Sequence, residues 1–296
     1  MRSGACWLLC LPLLLAVACG RQQDVFFSLL RQEEVPTPTA TPEEAPPPPP
    51  ARLQALAEQV QELLARYSGQ VAFVALDAAS GQGVAFNADQ PFIAASVIKL
   101  FTMMAVLQDV EQGLYTLEEV REDLDLLMLY SDNAANARLT HRAGLGRINQ
   151  LMQALGLTGS VYSRWPEVEE VYGGAGENYI TAGDVAAALL ALYRGQVFAD
   201  PRTTELAVAE MQPALEHDQL ILVRYLPPGV RVAHKTGTIA PDEEYPSVLH
   251  DVGIVFPLAG NPYVVVFLSQ GNADHAAAYD LGAKLSLLAY QAFATP

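Results

Sequence analysis

The placing of strand-like sequence constrains this chain more than any other feature. Val71-Ala72-Phe73-Val74-Ala75-Leu76 is an unbroken apolar run, and Gly83-Val84-Ala85-Phe86 follows it across Ala79-Ser80-Gly81-Gln82, the pattern of a hairpin. Comparable segments return only near the other end, at Val230–Lys235, Val252–Phe256 and Tyr263–Leu268, the last two joined by Pro257 to Pro262. Between them the spacing is helical: Leu117 to Leu155, broken at Gly144-Leu145-Gly146, then Ala182–Tyr193 and Arg202–Met211. Helical spacing also precedes the first strand (Leu53, Leu56, Val60, Leu63, Leu64) and follows the last (Leu281–Phe293). The expected fold is α+β: an antiparallel sheet built from the N- and C-terminal parts together and flanked by their helices, plus an all-helical subdomain.

The first fifty residues do not join that fold. Residues 1–19 have Arg2 at a basic start and an apolar run from Trp7 to Val17 interrupted by Pro12, the pattern of a secretory signal. The run is too short for a transmembrane helix. Ala16-Val17-Ala18-Cys19 places small residues before a cysteine, as in a bacterial lipoprotein signal, and makes Cys19 the candidate for lipidation, although Ala16 stands where such signals favour leucine. Residues 20–50 form a linker with eight prolines from Pro36 to Pro50, an extended spacer. The folded domain is 51–296. The protein is therefore expected to be exported and held on the outer face of the cytoplasmic membrane, or in the periplasm, by an N-terminal lipid alone.

Composition narrows the function classes. With 296 residues, 51% hydrophobic, the chain can bury a sizeable core. A formal net charge of −16 argues against nucleic acid, because no cluster of Lys and Arg can follow a phosphate backbone. All three cysteines lie in the first nineteen residues, which removes disulfide and thiolate chemistry from the domain. His141, His217, His234, His250 and His275 are scattered without metal-ligand spacing and read as structural or surface residues. Gly144-Leu145-Gly146 follows no strand, and there is no Gly-x-Ser-x-Gly elbow, so neither a dinucleotide site nor an α/β-hydrolase is indicated. No cofactor or metal is implied, and a monomer is the expectation.

The candidate chemistry begins in Ala95-Ser96-Val97-Ile98-Lys99-Leu100-Phe101, apolar and helical in character. Three residues is close to one helical turn, so Ser96 and Lys99 would share a face. A serine hydroxyl needs an adjacent base. A lysine serves if its pKa falls from about 10.4 towards 7, worth ~4 kcal/mol, through apolar burial and a second cation. Ser-x-x-Lys alone arises about once by chance in a chain of this length. Two further motifs follow in order: Ser131-Asp132-Asn133 between helical segments, and Lys235-Thr236-Gly237-Thr238 at the end of a strand.

Together these motifs resemble those of the class A serine β-lactamases and the related penicillin-binding serine hydrolases. The resemblance covers nearly all of 51–296, including Tyr130-Ser131-Asp132-Asn133-Ala134-Ala135-Asn136 and His250-Asp251-Val252-Gly253-Ile254-Val255. It implies Ser96 as the acylated nucleophile, Lys99 as its base or proton relay, and Ser131 as the relay to the leaving nitrogen. Asn133 would bind the substrate's side-chain amide, and Lys235, Thr236 and Thr238 its carboxylate. The N–H groups of Ser96 and Thr238 would form the oxyanion hole. Lys235 is also the second cation required beside Lys99. The substrate would be a small-molecule β-lactam or a peptidoglycan stem peptide.

The long irregular segment 158–179 departs from the family pattern. Class A enzymes carry Glu-x-x-Leu-Asn there, and the glutamate activates the deacylating water. Here the segment reads Arg164-Trp165-Pro166-Glu167-Val168-Glu169-Glu170-Val171, leaving Glu167 the best match in a shifted register, ahead of Glu169, Glu170 and Glu177. Hydrolysis of a β-lactam is the leading reading. A D-alanyl-D-alanine peptidase, or a module that stays acylated, is the alternative.

Overall fold

The computed structural model describes residues 50–163, 176–212, 221–241 and 246–294. The signal, the lipidation candidate Cys19, the proline-rich linker and Arg164–Val171 with Glu167 lie outside the described residues.

A helix, α1 (Ala51–Ala65), leads into the hairpin β1 (Gln70–Asp77) and β2 (Gly83–Phe86). Asp77 closes its turn by accepting from the backbone N–H groups of Ala79 and Ser80. A short strand β3 (Pro91–Ile93) and a 3-10 turn, Ala95–Ile98, precede α2 (Lys99–Glu111), α3 (Leu117–Leu129), α4 (Asn133–Ala143) and α5 (Leu145–Ala154). Then come β4 (Tyr179–Thr181), α6 (Ala182–Tyr193), α7 (Pro201–Glu210), the strands β5 (Arg231–Ile239), β6 (Val248–Phe256) and β7 (Tyr263–Gln270), and α8 (His275–Phe293).

Five strands form one antiparallel sheet in the order β2-β1-β7-β6-β5. The first and last of the described strands, β1 and β7, pair side by side in it, from Gln70 with Gln270 to Asp77 with Tyr263. The two faces carry two cores. Ala72, Val74, Val264, Val266, Leu268, Val252 and Ile254 face the helical region around α2 and α6. Val71, Phe73, Ala75, Val265, Phe267 and Val255 face the terminal helices, where they meet Leu53, Leu56, Val60, Leu281, Leu285 and Ala289. Cover on both faces explains why the strands read as unbroken apolar runs rather than alternating ones. Each fully buried Leu, Val or Phe contributes about 1.5–3 kcal/mol.

The helical region is organised by α2. From Leu100 to Leu107 every residue of that helix is buried. Thr116 and Glu119 form a capping box that starts α3, and Asp132 caps α4 by accepting from the Ala135 N–H at 2.6 Å. Three differences from the sequence expectation bear on the site. Ser96 lies in a 3-10 turn and only Lys99 opens the α-helix; β5 runs four residues beyond Lys235; and β3 with β4 forms a separate two-stranded sheet. Among the described residues no helix is long and apolar enough to cross a membrane.

Candidate active site

The turn that presents Ser96 is locally strained. Ala95 has φ 44°, in the left-handed region that a Cβ disfavours, a conformation costing about 1–3 kcal/mol. Its neighbours hold it there: Ala94 donates its N–H to the carbonyl of Asn178 at 2.8 Å, and Val97 and Ile98 are wholly buried. Beyond this turn, α2 carries Lys99 inward until its side chain is fully buried.

The surroundings of Lys99 bear on whether it can act as a base. Its Nζ lies 2.5 Å from the Ser131 carbonyl oxygen and 2.7 Å from Asn133 Oδ1, two groups that only accept. It also lies 3.1 Å from Ser96 Oγ and 3.2 Å from Ser131 Oγ. A neutral amine has two N–H groups for the two obligate acceptors and one lone pair left for a hydroxyl proton. Burial drives Lys99 the same way, lowering its pKa to about 8 against the opposing charge of Asp132. The geometry therefore suits Lys99 as acceptor of the Ser96 proton.

Ser131 reaches the site by a second strained residue. The N–H of Asp132 folds back to the carbonyl of Leu126 at 3.0 Å, ending α3, and Ser131 takes φ 56° where glycine is usual. That conformation aims both its carbonyl and its hydroxyl at Lys99. Asn133, the first residue of α4, is exposed, and its side chain still reaches Lys99.

The opposite wall is β5, the edge of the sheet. Lys235 donates to Ser131 Oγ and to its neighbour's carbonyl, Thr236 O, both at 2.9 Å. An ammonium there has one N–H left for an incoming anion. Burial, then the charge of Lys99, pushes the Lys235 pKa down to about 7, with Asp251 pulling it up. His234 sends its N–H off the edge to the Met211 carbonyl at 2.7 Å, and the two-residue repeat aims the N–H groups of Thr236 and Thr238 the same way. The Thr238 side chain is exposed at that edge. Gly237 lets the strand approach: a Cβ there would lie 3.2 Å from Ser96 N and 3.1 Å from Val97 Cγ2. Gly237 thus sets the β5 edge against the backbone nitrogen of Ser96.

Two buried polar groupings lie near the site, and the sequence reading passed over both. On β5 and β6, His234 Nδ1 and Asp251 Oδ1 are 2.6 Å apart, both side chains all but inaccessible. The other Asp251 oxygen accepts from the N–H groups of Ile221 and Leu222, both at 2.9 Å. Gly253 makes the pairing possible, since a Cβ there would meet His234 Cβ at 2.6 Å. One turn beneath Lys99 and Asn133, Thr102 donates to Asn136 at 3.0 Å, and Asn136 donates to the Tyr162 hydroxyl at 2.8 Å. Asn149 fixes both the N–H and the carbonyl of Tyr162. Helical spacing from Lys99 to Thr102 and from Asn133 to Asn136 was the available signal for the second grouping. For the first there was none but an apolar strand bearing one acid.

The structure thus joins Ser96, Lys99, Ser131, Asn133 and Lys235 through direct contacts, with Thr236 and Thr238 on the adjoining edge. Glu167, Glu169 and Glu170 are not among the described residues; Glu177 is, and its Oε1 accepts from the Asn178 N–H at 2.8 Å.

A family model described as "Beta-lactamase enzyme family" matches residues 55–123 and 119–293. Among characterised relatives, the beta-lactamase of Bacillus licheniformis is 26% identical over 246 residues, covering 75% of this chain and 78% of that protein. A solved ancestral class A beta-lactamase superposes with a TM-score of 0.70 at 26% identity, covering 80% of this chain and 100% of that one. The solved structure of PBP-A gives the same TM-score of 0.70 at 25% identity, covering 83% of this chain and 98% of that one.

Proposed function

The chain belongs to the beta-lactamase enzyme family, and from that premise we propose that it is a serine hydrolase of the class A type which opens the β-lactam amide through an acyl-enzyme on Ser96. The observation that carries this reading is the continuous path Ser96–Lys99–Ser131–Lys235, with contacts of 3.1, 3.2 and 2.9 Å. Neutral Lys99 takes the Ser96 proton as Oγ attacks the carbonyl carbon. The N–H groups of Ser96 and Thr238 hold the developing oxyanion, where one donor is worth about 2.7–4 kcal/mol. Ser131 delivers a proton to the departing nitrogen and is reprotonated from the lysine side. Lys235, with the hydroxyls of Thr236 and Thr238, holds the substrate carboxylate by a charge-assisted contact. Asn133 takes the side-chain amide.

Hydrolysis of the acyl-enzyme requires a base for water, and Glu167 is the carboxylate that best matches the family's glutamate, ahead of Glu169, Glu170 and Glu177. A second reading, a D-alanyl-D-alanine peptidase or a penicillin-binding module that stays acylated, is favoured by one observation: Pro166-Glu167-Val168-Glu169-Glu170-Val171 lacks the Leu-Asn that accompanies the family's glutamate. The equal TM-score to PBP-A is compatible with it. The N-terminal residues support an exported protein tethered through Cys19, with the proline-rich linker carrying a monomeric domain away from the membrane. Replacing Ser96 with Ala tests both readings: covalent labelling by a fluorescent penicillin is lost in either, and labelling that survives in the variant refutes acylation at Ser96.

A further inference from the structure

His250 is buried on β6, on the side of the sheet that faces the Ser96 turn, and none of the chemistry above uses it. Its Nε2 lies 2.8 Å from the carbonyl oxygen of Ile93, and its Nδ1 receives the N–H of Ser269 at 3.1 Å. A carbonyl oxygen only accepts and a backbone N–H only donates, so the ring must be neutral with its proton on Nε2. Protonation of Nδ1 would set two donors against each other. Burial acts in the same direction, lowering the His250 pKa to about 4. The ring of Phe92 meets it edge to face, with centroids 6.1 Å apart.

What His250 holds is the approach to the nucleophile. β3 pairs with β4 in a sheet of its own, so its outer groups need other partners. Side chains from the main sheet provide them: His250 bonds the Ile93 carbonyl, and Gln270 Oε1 accepts the Ile93 N–H at 3.2 Å. Ala94 is tied to Asn178, and then comes Ala95 at φ 44° and Ser96. A disfavoured backbone conformation persists only when its surroundings over-determine it. His250 is moreover the register partner of Gly237, the glycine that lets β5 lie against Ser96 N. One cross-strand pair thus acts on the turn twice, by a hydrogen bond three residues before Ser96 and by close contact at Ser96 itself.

We propose that His250 is a positioning residue for Ser96: its Nε2–H anchors Ile93 to the sheet, so that the strained turn presents the serine hydroxyl to Lys99 and the serine N–H to the oxyanion. The inference rests on Ser96 being the acylated residue. Its test is a pair of variants in the whole exported protein, His250→Gln and His250→Asn. A glutamine amide nitrogen can stand in for Nε2 and keep the Ile93 bond; an asparagine oxygen can stand in for Nδ1 and keep only the Ser269 bond. Rapid-mixing acylation by a chromogenic penicillin gives the rate constant at saturation and the binding constant separately. The Asn variant is expected to lose about tenfold or more in the rate constant, with binding little changed, because small misplacements of reacting groups cost that much. The Gln variant is expected to recover most of the rate. Equal rates in all three proteins, or equal losses in the two variants, overturn the proposal. Should the wild type take no label, the reading of Ser96 fails and amide exchange over 93–98 judges His250 independently. Faster exchange in the Asn variant alone upholds the clamp; equal exchange refutes it.

Discussion

At the scale of single residues, the site is defined by how two buried lysines share charge. Once neutral, Lys99 meets two carbonyl acceptors and keeps its lone pair for Ser96, while a charged Lys235 keeps an N–H for an anion. The free base of Lys99 grows as pH rises through about 8, so acylation gains with pH. The charged form of Lys235 declines as pH rises through about 7, so carboxylate binding fades. Acylation is therefore expected to follow a bell centred between these values, measured as the second-order labelling constant against pH. A profile that rises without a maximum would remove Lys235 from carboxylate binding. The types of these residues were legible in the sequence because short motifs fix spacing. The backbone that aims them was not: Ala95 and Ser131 hold positive φ with side chains that do not announce it.

At the scale of elements, long apolar strands and helices were legible, because burial on both faces leaves unbroken runs and one-sided burial leaves a period. The three-residue strands β3 and β4 escaped, since no period can show in three residues. So did the partners of the buried polar groups, which come from segments far apart in sequence. His234 and Asp251 are one example, joining β5 and β6 to Ile221 and Leu222. Removing one partner of such a buried charged grouping leaves the rest unsatisfied. Asp251→Ala is expected to cost about 3–5 kcal/mol of unfolding free energy by denaturant titration. A loss below about 1 kcal/mol would mean that the carboxylate does not hold β5 in place.

At the scale of the whole molecule, the candidate catalytic groups come from three separately built parts: a turn and helix at the centre of the helical region, a helix junction beside it, and the edge strand of a sheet closed by the two ends of the domain. Ser96 and Lys235 are 139 positions apart, yet a single glycine, Gly237, sets the strand against the backbone of Ser96. That assembly points to acylation at Ser96. Intact mass of the protein, followed over time after mixing with a β-lactam, tests it most directly. The predicted result is an adduct of the β-lactam's mass, located at Ser96, that forms and then decays as ring-opened product accumulates. An adduct that persists for hours would replace hydrolysis with the penicillin-binding reading. A protein whose mass never changes while the β-lactam remains intact would contradict the assignment of Ser96 altogether.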